Sequence, residues 1–397
     1  MKKLFLFVTL VAALCLTGCG SLSDKEIKDN FIKDIESLKS YYMEGSLKLI
    51  NNDDSYEYDV EVSYQKDDNY KVSLNNKGNN YEQIILKNKE GVYVITPSLN
   101  KSFKFQSDWP DNNSQSYLLG SVVNDLKKDN EYKFTQKDSD YIYTVKTNYP
   151  NNPKYIKQNI ILDKNYNLKK VEVQDDKNIS YIEFTVKTID KKANFNESEF
   201  SLEELTKDFN KASTNEEQTR KENSNNEESK QTENRNQEEQ TNEQTNEEAK
   251  TDNETQSEDR NESKTNSETS QNNKTEETNE TSKVDDKVFP LYLPSNTKLS
   301  DKEVIATESG ERVIMTFAGD NPFILVQETV KPSKNLEIIP TYGEPYMLID
   351  TVGSLTDTSY TWTSNGVEYY IVSDQMDKNE LLEVAKSINV VSTINQK

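Results

Sequence analysis

Seventy consecutive residues, Ser213 to Ser282, contain a single apolar side chain, Ala249, and no aromatic residue, glycine or proline. A stretch of this kind cannot bury enough surface to offset the entropy lost on ordering its backbone. Any fold must therefore be assembled from what lies on either side. Composition predicts a disordered acidic linker at 206–286, between a first folded region at 19–205 and a second, small α+β region at 287–397. The side chains from Lys211 to Asp286 carry a net −12. A flexible coil of that length spans roughly 45–50 Å, and self-repulsion extends it. A plain spacer is the first reading, and an acidic tail for a basic partner is the second.

The N-terminus carries a second compositional signal. Lys2 and Lys3 precede an apolar run from Leu4 to Leu16. The run is too short to span a bilayer as a helix, which needs about 20 residues, and it fits a signal peptide. It ends in Leu16-Thr17-Gly18-Cys19, which resembles the bacterial lipobox. The resemblance implies that residues 1–18 are removed and that Cys19 carries the diacylglyceryl group, palmitate among its acyl chains. The mature chain is then expected outside the cytoplasm, lipid-anchored to a cell or spore membrane. Two acyl chains give stable anchoring where one is marginal.

What is missing constrains the chemistry. The chain has no histidine, and its two cysteines, Cys15 and Cys19, are lost with the signal or capped by lipid. Histidine bases, cysteine nucleophiles and the usual zinc ligand sets are thereby excluded. Carboxylate pairs, a Ser-Lys dyad or a carboxylate-bound hard cation stay open, yet none has a local signature. Asp53-Asp54 and Asp67-Asp68 sit among polar turn residues and read as solvated turn carboxylates. No catalytic residue, cofactor or metal is expected, and the chain reads as a non-enzyme. Its net charge of −22 becomes −24 once Lys2 and Lys3 are removed. Such a chain repels nucleic acid and anionic headgroups, so lipid must hold it to the membrane.

The folded regions are legible from periodicity. Ser23 or Asp24 can cap a helix with Ile27, Phe31, Ile32, Ile35 and Leu38 on one face. From Tyr56 to Tyr64 the alternation is complete, Tyr and Val on one side and acidic or polar residues on the other, which is a half-wet strand. Similar runs occur at Tyr70–Leu74, Ile84–Leu86, Val92–Thr96, Ser102–Phe105, Tyr132–Thr135, Tyr141–Val145, Asn159–Leu162, Leu168–Val173 and Tyr181–Val186. Turns at 66–69 and 175–178 join neighbours as antiparallel hairpins. A helix at 114–127 interrupts them. The expected class is α+β, a curved antiparallel sheet over two helices, with a two-sheet sandwich as runner-up. In the second region, strands are expected at 312–317, 323–330, 346–349, 360–363 and 367–373, with a last helix from Lys378 to Ile388. Trp362 reads as a core residue.

These features together resemble the lipoprotein-carrier (LolA/RseB-like) fold, which implies an unclosed β-barrel wrapped over helices across 24–205. The run Gly91-Val92-Tyr93-Val94-Ile95-Thr96-Pro97, continuing to Phe105 and followed by Asp108-Trp109-Pro110, resembles the GerS-type germination and sporulation lipoproteins of Gram-positive spore formers. Asn152-Pro153-Lys154 and Ile160-Ile161-Leu162-Asp163 echo that pattern. Phe289 to Pro294, Tyr360 to Tyr369 and Leu381 to Ile388 resemble a small domain of unknown function that often follows this fold. The resemblance implies a non-enzymatic adaptor that binds a protein partner, an N-acetylmuramoyl-L-alanine amidase of the spore cortex. The acidic linker and added domain depart from the short germination lipoproteins and leave another client open. A lipid or lipoprotein acyl-chain carrier and an RseB-like envelope sensor are the alternatives. Inward-facing tyrosines need hydrogen-bond partners, which favours adaptor over acyl carrier, and the adaptor contact is expected from a sheet edge or from the Tyr-rich strands. A flexible linker argues against the rigid coupling a sensor needs.

Overall fold

In the computed structural model, residues 22–51, 54–207 and 288–394 are described. Cys19, Asp53 and the expected linker lie outside them. The first helix, α1 (Asp24–Glu36), is fixed at its start by a capping box: the Ser23 hydroxyl accepts from the Glu26 amide at 3.3 Å, and the Glu26 carboxylate accepts from the Ser23 amide at 2.8 Å. Ile27, Phe31, Ile32 and Ile35 are buried along one face, contributing about 1.5–3 kcal/mol each.

A meander of eleven antiparallel strands follows: β1 (Ser40–Asn51), β2 (Asp54–Gln65), β3 (Asn69–Asn76), β4 (Glu82–Asn88), β5 (Gly91–Thr96), β6 (Lys101–Phe105), β7 (Lys133–Lys137), β8 (Asp140–Lys146), β9 (Lys157–Leu162), β10 (Leu168–Gln174) and β11 (Ser180–Asp190). Their spatial order is β6-β5-β4-β3-β2-β1-β11-β10-β9-β8-β7, and β6 and β7 do not pair, so the sheet stays open. The second helix, α2 (Leu119–Lys128), buries Leu119, Val122, Val123 and Leu126 beside α1 against the inner face. Asp67 and Asp68 take φ of 71°, the positive-φ pair of a tight β2–β3 hairpin. A bulge after Glu44 sets Gly45 opposite Val186, and the Phe184 ring lies over it; a Cβ at Gly45 would lie 2.4 Å from that ring.

The helix begins later than the sequence suggests. Residues 114–118 are held as a loop, because the Ser114 amide donates to Asn148 O (2.8 Å) and its hydroxyl to buried Asp125 (2.6 Å). On the outer face, Phe200 and Leu202 cover Ile84, Leu86, Tyr93 and Ile95 as a small second core.

The C-terminal region forms a seven-stranded sheet with order β12-β13-β14-β19-β18-β17-β16. Its strands are β12 (Lys298–Thr307), β13 (Gly310–Ala318), β14 (Phe323–Thr329), β16 (Glu344–Leu348), β17 (Thr351–Leu355), β18 (Ser359–Ser364) and β19 (Val367–Val372). The third helix, α3 (Lys378–Ile394), covers one face with Leu381, Leu382, Ala385 and Ile388. Trp362 stacks between Tyr360 and Tyr369 at 5.1 and 5.0 Å and is buried, as the sequence suggests.

The missing number in that series is the main departure from expectation. β15 (Glu337–Thr341) leaves its own sheet and pairs in parallel with β6, making the first sheet twelve-stranded. The two folded regions form one compact unit with one continuous apolar core. The independence that a flexible linker suggests is corrected here: a linker sets how far two regions can separate, and the contacts between them decide whether they do.

Candidate functional site

The seam between the regions is where chemistry-bearing side chains converge. Gln83, at the inner face of β4, is buried and acts like the peptide group of an adjacent strand. Its Oε1 accepts from the Val352 amide (2.6 Å) and the Thr351 hydroxyl (3.1 Å), and its Nε2 donates to Val352 O (3.1 Å). The Tyr58 hydroxyl donates to Ile349 O at 2.8 Å. Beside it lies Asp350, fully buried with Ser364 Oγ donating to it at 2.5 Å; burial pushes its carboxyl up to about 6.

Two clefts open along this seam. One, of about 120 Å³, has Leu47, Ile85 and Leu348 in its walls and a belt of tyrosines, including Tyr149, Tyr155, Tyr181 and Tyr346. Burial holds the phenols of Tyr149, Tyr155 and Tyr346 well above their usual range, so they are neutral donors at neutral pH. Glu383 stands at its mouth with Lys386 at 2.9 Å and Lys154 at 3.6 Å, the latter joining the two regions. The other cleft, of about 420 Å³, combines apolar walls from Phe103, Phe105, Ile339 and Trp362 with the hydroxyls of Thr341 and Thr361 and the charged pair Lys101 and Glu368. Burial raises the Glu368 carboxyl.

Their sizes and linings bear on what could bind. A dry cavity of about 150 Å³ takes one benzene, and drug-sized ligands need roughly 300 Å³ or more. The first cleft thus suits one side-chain-sized apolar group. The second is large enough for a ligand, and its apolar walls of Val94, Phe103, Phe105, Ile339 and Trp362 are interrupted by hydroxyls, a lysine and a carboxylate, each costly to cover with hydrocarbon unless it keeps a polar partner. Among the described residues, no group of three or more carboxylates, histidines or cysteines is placed to hold a metal ion. No helix there is long and apolar enough to cross a membrane.

The Tyr-rich strands do not offer the contact surface expected of them. Tyr41, Tyr56, Tyr58 and Tyr70 point inward and are buried, and a chain of ring contacts runs from Tyr41 through Tyr64 to Tyr70, which lies edge-on to Trp109 at 5.9 Å. Asp67 and Asp68 lie in the β2–β3 turn, as expected of turn carboxylates, and Lys87 pairs with Asp68 at 2.7 Å.

Exposed apolar surface gathers elsewhere. Phe289, Leu291, Tyr292, Leu293, Leu299, Val304 and Ile305 are all exposed, Leu291 at 65%. They lie on β12 and the segment leading into it, where Lys302 sits over the Phe289 ring at 4.9 Å. β12 is a ten-residue edge strand without proline or glycine; Lys298, Asp301, Lys302 and Glu303 and a bulge between Leu299 and Asp301 guard its first half, and Val304 and Ile305 follow. The other edges are shorter, and two of them contain proline. β7 is short and bears Lys133 and Lys137, β16 contains Pro345, and β15 contains Pro340. The Glu337 amide donates to Asn100 O (2.9 Å), so in β15 alternate amides face outward, and position 340, which faces out, has none. β12 is a strand that the sequence pattern does not announce. Only its exposed Val304-Ile305 pair could have signalled an edge.

No family model matches this chain. The sporulation protein YdcC of Bacillus subtilis (strain 168) is 31% identical to it over 388 residues, covering 98% of this chain and 97% of that protein. Among solved structures, the Pseudomonas aeruginosa MucA/MucB complex aligns over 91% of this chain and 98% of the matched one at 10% identity, with a TM-score of 0.28. A LolA superfamily protein from Nitrosomonas europaea aligns over 46% of this chain and 98% of that one at 10% identity (TM-score 0.27). The CwlD amidase–GerS lipoprotein complex of Clostridioides difficile aligns over 45% of this chain and 98% of the matched one at 16% identity (TM-score 0.19). Superpositions this loose carry no functional weight.

Proposed function

Because this chain belongs to the family of the Bacillus subtilis sporulation protein YdcC, we propose that it is a sporulation protein of the cell envelope, anchored by lipid on Cys19, that works without catalysis by docking a protein partner. The observation that carries this reading is the contrast between a filled interior and an exposed edge. A carrier needs an open apolar cavity. Here α1, α2 and residues 345–352 occupy the inner face, leaving one cleft too small for an acyl chain and one whose apolar walls are broken by Lys101, Glu368 and several hydroxyls. The second sheet instead presents β12 with Val304 and Ile305 exposed.

Strand addition on β12 would satisfy its outward backbone groups, and the neighbouring apolar side chains would supply specificity. The partner we favour, from the resemblance of residues 91–110, 152–154 and 160–163 to germination lipoproteins, is a cortex N-acetylmuramoyl-L-alanine amidase. The test is recovery of bound protein from sporulating cells on the intact lipoprotein and on Ile305→Lys. We expect an envelope enzyme on the first and its loss on the second. Co-purified lipid in place of protein, or turnover of a cell-wall substrate by the ectodomain alone, would sink the proposal.

A further inference from the structure

The seam has the form of a recognition interface whose two partners happen to share one chain. We propose that β6, Gln83 and Tyr58 form an acceptor site for an extended segment, that residues 333–352 are its ligand, and that the C-terminal region therefore stays bound when the chain is cut between them.

The acceptor is built in three parts. The first is the strand edge: five consecutive pairs run from Glu337 opposite Lys101 to Thr341 opposite Phe105. Asn100, held at φ 52°, starts this register. Its side-chain amide donates to Ser333 O (2.8 Å), its carbonyl accepts from the Glu337 amide, and Leu99 O accepts from the Ser333 amide (3.0 Å). The second is the buried clasp of Gln83 on both backbone groups of Val352, with Tyr58 on Ile349. The third is a polar rim. Glu344 accepts from the Ser107 hydroxyl and from Asn112 Nδ2 (2.7 Å), and Lys154 meets Glu383.

Main-chain hydrogen bonds give such a site affinity, and pockets for alternate side chains give it specificity. Parallel pairing joins residues more than two hundred positions apart in sequence. All of the contacts named lie outside Ser213–Ser282, so a cut in that stretch removes none of them. What is lost is only the tether's effective concentration, in the millimolar range at most for a linker. The ligand class is accordingly a polypeptide that carries the 333–352 segment on its own folded sheet, and the natural occupant is the second half of this chain.

The experiment uses the full chain with a sequence-specific protease site inserted beside Ala249. After complete cleavage the halves are passed through gel filtration at micromolar concentration, and their affinity is measured on dilution. The wild-type halves are expected to elute together as a one-to-one complex of the uncut mass. Gln83→Ala, checked uncut for native circular dichroism, is expected to weaken the cut complex at least about tenfold, because it strands two buried backbone groups. Separation of the wild-type halves at micromolar concentration, or equal retention in the variant, overturns the proposal.

Discussion

The two sheets manage their surfaces in opposite ways. The first hides its tyrosines inside, carries lysines on one short edge and accepts a foreign strand on the other, whose outer side ends in proline. The second packs one face on α3 but leaves a ten-residue edge with Val304 and Ile305 exposed. A long edge strand that keeps an exposed Val304-Ile305 pair beyond its charged and bulged first half is a candidate contact. The difference teaches a division of labour: the larger sheet holds the molecule together, and the smaller one is displayed.

The sharpest way to break that comparison is to damage the displayed sheet's core. Trp362→Ala should cost about 3–5 kcal/mol, and calorimetry on the full chain should show whether the first sheet melts with it. A single lowered transition supports the shared core; two separate transitions argue for independent regions.

Asp350 tests the seam through pH. Its folded carboxyl titrates near 6 against the ordinary 3.8, so the ionised form is the disfavoured one in the fold. The penalty is fully present above about pH 6, shrinks as pH falls through that value, and vanishes below about pH 4. Asp350→Asn should therefore raise stability at pH 7 by on the order of 3 kcal/mol and leave it unchanged at pH 4. Denaturant titrations at the two pH values check this, and an equal effect at both would refute the assignment.

Smaller changes sharpen the picture. Gln83→Ala should cost about 2 kcal/mol and Tyr58→Phe about 1 kcal/mol, the ordinary values for lost buried hydrogen bonds; urea midpoints would rank them. Ile305→Lys, on an exposed edge, should shift stability by less than about 0.5 kcal/mol while abolishing partner recovery. A large loss of stability in that variant would show that β12 serves the fold and not an interface.

The same contrast explains which elements could be read in advance. β2 was plain because one face is buried and the other wet, which writes a period of two into Tyr56, Tyr58, Val60 and Val62. β1 went unrecognised although it is central, since Gly45 interrupts its apolar face to make room for Phe184. β12 is exposed along nearly its whole length and so has no alternation to read. β15 contains Pro340, which argues against a strand, and only the edge position found in the structure permits it. Of the site, Phe289–Pro294 stood out only through its resemblance to a known domain, and the C-terminal helix through the helical spacing of Leu381, Leu382, Ala385 and Ile388. Gln83 carried no signal, because a single glutamine looks the same whether it clasps a backbone or faces water.

Local sequence by itself determined the half-wet meander, the amphipathic helices and the hairpin turns. Each of these depends on neighbours within a few residues, where periodicity and turn chemistry act. Tertiary structure alone decided that β15 joins the other sheet, that the two regions share a core, and that the tyrosine face is covered while β12 is not. Those outcomes depend on backbone groups and surfaces hundreds of residues apart, whose matching leaves no periodic trace in either segment.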